Sequence, residues 1–243
     1  DLEKRLYRLG IPLKTRHNEA APAQFEVAPL YEEANIATDH NMLIMETLRG
    51  VARDHGFSCL LHEKPFKGVN GSGKHNNWSL TDSDGNNLLD PGDTPQENAQ
   101  FLVFLCATMR AVHNFAPLLR VGTATAGNDH RLGAHEAPPA ILSMFLGNEL
   151  MEVVESVRTG AISKGPKREF MRIGVTALPS LPRDATDRNR TSPVAFTGNK
   201  FEFRAVGASQ SPAPTIFLIN AAVTEALDTY ATILEAEVAK GTP

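Results

Sequence analysis

Cysteine is nearly absent from this chain of 243 residues: Cys59 and Cys106 alone occur, each inside an apolar run. Two such residues build neither a disulfide framework nor a thiolate metal site, so they read as small buried hydrophobes in a protein of a reducing, cytoplasmic setting. Long hydrophobic runs are missing too. The most apolar stretch, Phe101 to Met109, falls far short of the ~20 residues a spanning helix needs, and the opening Asp1-Leu2-Glu3-Lys4-Arg5 has no apolar centre of a secretory signal. Neither sign of charge dominates: 24 Lys and Arg face 28 Asp and Glu, for a formal net charge of -4. No global field therefore draws the chain to nucleic acid or to an anionic membrane. Internal repeats and domain linkers are also lacking. What remains, 42% hydrophobic and 21% charged, is the composition of a soluble globular protein with one sizeable domain or two small ones.

Punctuation places four helices. Thr94-Pro95-Gln96-Glu97 joins a capping threonine, a first-turn proline and a glutamate three residues after the cap, and predicts a buried helix running to about His113. Others are expected over about 33–55, stopping at Gly56, over about 138–158, stopping at Gly160, and from Ser211-Pro212 to about Ala239. Period-two alternation marks strands at 24–27, 57–61, 78–80 and 201–204. That period puts Glu202 and Arg204 on one face and Phe201 and Phe203 on the other. Asp84-Gly85 is an expected tight turn, and 160–199 an irregular surface excursion.

Four segments carry residues suited to chemistry. Gly68-Val69-Asn70-Gly71-Ser72-Gly73-Lys74-His75 satisfies most of a phosphate-binding P-loop, but His75 stands where Ser or Thr would hold magnesium, and a strand is expected where that motif needs a helix. In Arg16-His17-Asn18-Glu19-Ala20-Ala21-Pro22-Ala23-Gln24-Phe25-Glu26, two glutamates flank a small-residue loop; they could share a pocket as oxygen ligands for Mg²⁺ or Mn²⁺, although alone they read as solvated surface carboxylates. Glu202 and Arg204 could meet a metal-bound phosphate, and alone read as a structural ion pair. The stretch from Arg120 through Gly127-Asn128-Asp129-His130-Arg131 to Pro139 sets arginines in glycine-rich loops, where they could clamp carboxylate or phosphoryl oxygens; turn and cap roles for its Gly and Pro residues are equally served.

In this order the four segments resemble glutamine synthetase, and more closely its large type III branch than the shorter types. The family's glycine-rich signature is matched by Lys64-Pro65 followed by Asn70-Gly71-Ser72-Gly73-Lys74-His75. The resemblance implies an α+β chain with the glutamine-synthetase catalytic-domain fold, a curved, mainly antiparallel sheet flanked by helices, incomplete here. It implies that Glu19 and Glu26 bind one divalent ion and His75 and Glu202 a second. It also implies that Asn70 and Gly71 hold substrate glutamate, Arg120 its α-carboxylate, Arg131 the transferred phosphoryl group, and Arg204 substrate or phosphate, with Asn77 and Ser79 on the nucleotide side. The implied reaction uses ATP to phosphorylate the γ-carboxylate of L-glutamate and ammonia to displace phosphate, giving glutamine, in homo-oligomers that are rings of twelve.

The pattern also departs from the family. Glu136 stands where shorter members have a second arginine, and Asp129 is the candidate for the acid that shields the intermediate. A strand with two more metal-ligand glutamates and an N-terminal β-rich domain, both expected upstream of Glu19, are not in this chain. Residues 1–243 are therefore expected to be part of a catalytic domain, inactive alone. Two alternatives stand beside this reading: an inactive relative kept for structure or regulation, and a carboxylate-amine ligase with another substrate. The first would be expected to lose metal ligands, and Glu19, Glu26, His75 and Glu202 are all present.

Overall fold

The computed structural model describes residues 1–160 and 192–241, together with the backbone of a short antiparallel strand pair at Phe170–Met171 and Leu181–Pro182. The excursion expected over 160–199 lies largely outside the described residues. In chain order the elements are α1 (Leu2–Arg8), β1 (Leu13–Asn18), β2 (Phe25–Pro29), α2 (Ala34–Asp54), β3 (Gly73–Trp78), α3 (Ala99–Val121), α4 (Ala126–Arg131), β4 (Met144–Phe145), α5 (Asn148–Thr159), the strand pair as β5 and β6, β7 (Val194–Phe196), β8 (Phe201–Gly207) and α6 (Ala213–Ala239).

Two apolar centres organise these elements. The smaller holds Leu6, Ile11 and Ile44, with Leu2, Leu13, Val27 and Leu48 against them, and so joins α1, α2 and the β1–β2 hairpin. The larger surrounds a four-stranded sheet in the order β3-β8-β7-β4, antiparallel except where β4 meets β7. Phe201 and Phe203 are fully buried there, sharing the core with Phe101 and Leu105 of α3 and Ile219 and Val223 of α6. Each such side chain contributes roughly 1.5–3 kcal/mol of burial. Phe196 meets Phe201 edge to face at 5.3 Å, and the Trp78 indole donates to Asn220 Oδ1 at 2.8 Å. Among the described residues α3 alone is long and apolar enough to cross a membrane; Phe101, Leu105, Ala107, Ala111, Val112 and Leu119 build it into this core instead.

The helix expected at Thr94 begins later. Pro95–Glu97 forms a single 3₁₀ turn without a side-chain cap bond from Thr94. The α-helix starts at Ala99, where Asn98 Oδ1 accepts the Phe101 N–H at 3.0 Å, and it continues past His113 to Val121. Pro117 lies within it and Phe115 leaves helical geometry, because a proline removes one ladder donor and crowds the preceding turn. Asn98→Ala is expected to cost about 1 kcal/mol, lowering the melting temperature by roughly 2–4 °C, and Thr94→Ala no more than a few tenths of a kcal/mol; thermal unfolding of the two variants checks the assignment.

The helix expected over 138–158 forms only from Asn148 to Thr159. Pro138 and Pro139 open the preceding segment, β4 pairs with β7, and Gly147 turns the chain with φ +81°. Gly160 closes the helix in the left-handed conformation, as expected. The stretch 57–61 forms no ladder, and Phe57 and Leu60 stay exposed. The strand expected at 78–80 lies earlier: β3 runs from Gly73 to Trp78, and Ser79 and Leu80 fall outside it. Asp84-Gly85 does turn, held by Asp82 Oδ1, which accepts the N–H groups of Asp84 and Asn86 at 2.9 and 2.8 Å.

Candidate active site

The glycine-rich segment does not enter a helix. Gly73 begins β3, and Lys74 turns away from the cleft to donate to the carbonyls of Gly207, Ala208 and Gln210. Burial lowers the Lys74 pKa to about 8, partly opposed by Glu63. A P-loop is thereby excluded, since the lysine that would reach phosphate tethers the turn between β8 and α6.

Strand registers assemble the site. His17 pairs across the hairpin with Glu26, and partners in register share a face. His17 Nε2 lies 2.8 Å from Glu19 Oε1 and 2.7 Å from Glu26 Oε2, and one donor atom from each of the three falls within 4.8 Å of the others. Burial first, then a hydrogen bond and charge from Glu19, raise the Glu26 carboxyl above its usual range, against the pull of His75 and His17. Two carboxylates held together at such a cost are what a divalent cation relieves, so the donor set fits one.

In the main sheet Asn77 pairs with Glu202. Glu202 Oε1 lies 2.6 Å from His75 Nδ1, and Oε2 accepts from Arg204 Nη2 at 3.2 Å. Burial pushes the Glu202 carboxyl up, but His75 and Arg204 outweigh it and hold it at about 2. This pair also offers nitrogen and oxygen donors suited to a divalent ion.

One cleft between the hairpin and the main sheet is lined by Glu19, Gln24, Phe25, Glu26, the loop 70–73, His75, Arg131 and the segment 135–137. Six of the residues expected from sequence, Glu19, Glu26, Asn70, Gly71, His75 and Arg131, thus meet there. Arg131 is 5% exposed; its guanidinium donates to Asn128 Oδ1, Val206 O and Arg204 O. Burial lowers its pKa to about 10, with Glu63 opposing the shift, so it stays charged at neutral pH. Glu202 reaches the cleft through His75, while Arg204, 3% exposed, sits behind Glu202. Asn77 and Ser79 are exposed at the outer end of β3. Arg120 lies off the cleft, paired with Asp129 and bonded to Thr123 Oγ1.

Four participants were not assigned from sequence. His17 completes the donor cluster. Gln24 ties the hairpin to the glycine-rich loop by donating to Gly71 O at 2.8 Å and Ser72 Oγ at 2.9 Å; the signal was its place two residues before Glu26 on one strand face. Glu136, the acid of its loop that lines the cleft, accepts from Asn70 Nδ2 at 2.7 Å. It and His135 both adopt positive φ, 60° and 34°, a local strain of about 1–3 kcal/mol per residue. Glu63, fully buried, accepts from Ser209.

Comparison with known proteins bears on this arrangement. Residues 1–137 match the family model "Glutamine synthetase, catalytic domain", more than half of the chain. The chain belongs to the glutamine synthetase family. It is 57% identical over 227 residues to the type-3 glutamine synthetase of Dictyostelium discoideum, covering 93% of this chain and 31% of that protein. It is 50% identical over 234 residues to the glutamine synthetase of Bacteroides fragilis, covering 95% of this chain and 32% of that protein. The glutamine synthetase of Thermotoga maritima matches at 29% over 148 residues, so the type III resemblance holds. The chain spans about a third of the length of the Dictyostelium and Bacteroides relatives. The fold is that of glutamine synthetase as well: cryo-EM Plasmodium falciparum glutamine synthetase superposes with a TM-score of 0.65 at 16% identity, covering 94% of this chain and 37% of that one. Ligand-free apo GmaS superposes at 0.66 and 20%, covering 93% and 43%.

Proposed function

We propose that these residues are part of the catalytic domain of a glutamine synthetase that joins ammonia to the γ-carboxylate of L-glutamate at the expense of ATP. The observation that carries the reading is the convergence on one cleft of a carboxylate and imidazole cluster, the His75–Glu202 pair and the buried guanidinium of Arg131. Hydroxide is a poor leaving group. Transfer of the γ-phosphoryl group from ATP to the γ-carboxylate breaks the bond to ADP and makes an acyl phosphate. The ammonia nitrogen then bonds to the acyl carbon, phosphate departs with the bonding electron pair, and the nitrogen gives up a proton.

Two anions must meet in this reaction, and the chain's residues suit that task. Arg131 faces the phosphoryl oxygens, with Arg204 holding Glu202 from behind. Asn70 and Gly71, on the cleft wall, take substrate glutamate, and Asn77 and Ser79, at the exposed end of β3, the nucleotide. The role of Arg120 toward the α-carboxylate rests on the family resemblance alone. Glu19 and Glu26 would hold one divalent ion and His75 and Glu202 the other, and Mg²⁺ or Mn²⁺ bound there supplies the Lewis acid that neutralises phosphate and carboxylate charge. Glu19, Glu26 and Glu136 give the cleft the negative lining that attracts ammonium and can accept its proton. We place the protein in the cytoplasm, where its two free thiols stay reduced, as a homo-oligomer, a dodecamer by the family's pattern.

The full-length protein should form glutamine and phosphate in equal amounts from glutamate, ammonium and ATP, and stop when divalent ions are chelated. The 243 residues alone should not turn over, given the share of the relatives' length they span. An absence of ATP-dependent glutamine formation by the full-length protein would overturn the first statement, and robust synthesis by the isolated chain the second.

A further inference from the structure

We propose that Glu63 is the positioning residue for Arg131, a buried carboxylate that locks together the three segments on which that guanidinium depends; the proposal rests on the reading of the cleft given above. Glu63 lies in the irregular stretch between α2 and β3, is 2% exposed and does not line the cleft. Its main-chain oxygen accepts the Ser72 N–H at 2.8 Å, which pins the glycine-rich loop. Its Oε1 accepts the Ser209 N–H at 3.0 Å and the Ser209 hydroxyl at 2.5 Å, which pins the turn after β8. Its carboxylate also rests on two glycines: a Cβ on Gly127 would come 2.7 Å from Oε2, and one on Gly207 would overlap Oε1. Gly127 belongs to α4, the helix that ends in Arg131.

The same three segments hold Arg131. Its chain position comes from α4, its guanidinium donates to Arg204 O and Val206 O of β8, and Gly73 leaves the space that the guanidinium fills. A buried cation needs a counter-charge, and Glu63 supplies one. Burial pushes the Glu63 carboxyl up, but the two bonds from Ser209, together with its own main-chain N–H and His62, outweigh it and keep it below its ordinary value, so it remains an anion. A structural tether alone would not need a full negative charge here, since an amide or a hydroxyl could accept from Ser209.

The test is steady-state kinetics on the full-length protein. Glu63→Gln keeps the shape and removes the charge; kcat is expected to fall about tenfold or more, with KM for glutamate and for ATP within about twofold, because misplacement of Arg131 acts on phosphoryl transfer rather than on ground-state binding. A residue of purely structural importance would lower the melting temperature and leave kcat per folded enzyme unchanged, and that result overturns the proposal. Should Glu63→Gln fail to fold, Ser209→Ala, which removes one bond to the carboxylate and keeps its charge, is read the same way: a graded loss of kcat supports the proposal, and wild-type kcat refutes it. Arg131→Ala separates this inference from the functional reading. If Arg131→Ala is inactive while Glu63→Gln turns over normally, the positioning role alone fails. If Arg131→Ala retains full turnover, the reading of the cleft fails and the proposal with it.

Discussion

Glu202→Ala in the full-length protein is expected to abolish glutamine formation, to about a thousandth of the wild-type rate or less. The residue stands on β8 between Phe201 and Phe203, both within the core, so its backbone cannot retreat. Its two oxygens serve different partners: Oε1 meets His75 Nδ1 at 2.6 Å and Oε2 meets Arg204 Nη2 at 3.2 Å. Truncation removes a metal donor, frees the His75 ring to reorient, and takes a carboxylate from a guanidinium that is 3% exposed. Loss of one member of a buried pair costs about 3–5 kcal/mol, so Glu202→Gln, which keeps volume and one acceptor oxygen, should be measured beside it. Both should lose turnover, and Glu202→Gln should lose less stability than Glu202→Ala. Activity retained by a folded Glu202→Gln would refute the assigned role.

The second large effect is expected from Gly73→Ala, a change of one methyl group. A Cβ at this position would overlap Nη2, Cζ and Nε of Arg131. β3 has little room to move, because Gly73 is in register with Gly207 and Lys74 with Val206. The guanidinium must therefore leave, giving up Arg204 O, Val206 O and Asn128 Oδ1. Displacement of this kind should lower kcat by about a hundredfold and stability by about 3 kcal/mol, the scale of a broken buried network. Gly85→Ala provides the contrast. It strains a positive φ in the Asp82 turn but meets nothing within 4 Å, so it should cost about 1 kcal/mol with kcat unchanged. Equal kinetic losses in both variants would show that Gly73 is not a spacer for Arg131.

Much of the cleft was legible in the sequence because strand periodicity and motif chemistry both act locally. Strand period two puts Glu202 on the face opposite Phe201 and Phe203, and Glu19 and Glu26, flanking a short proline loop, could share a pocket, although alone they read as surface carboxylates. What escaped depends on distant partners. Nothing near His62-Glu63-Lys64 signals that the middle residue is buried; its partner, Ser209, is 146 residues away. Arg204, which shares its strand face with Glu202, is 3% exposed and donates to the Glu202 carboxylate; the depth at which it lies is set by the helices packed on the sheet, which the strand pattern does not show. β1 was not anticipated, since Lys14-Thr15-Arg16-His17-Asn18 has no apolar alternation and pairs by its hairpin geometry. The over-long helix at 138–158 shows the same limit: the punctuation at Pro138 and Gly160 brackets a stretch part of which β7 claims as a strand.

Gln24 gives the cleft a property that no separate residue has. Its amide spans from the hairpin bearing the carboxylate cluster to Gly71 and Ser72 of the opposing loop. A ligand that orders the loop must therefore also bias the carboxylates, and an ion that orders the carboxylates must bias the loop. Such linkage is reciprocal: on the function proposed above, whatever factor glutamate changes cation affinity by, the cation returns to glutamate.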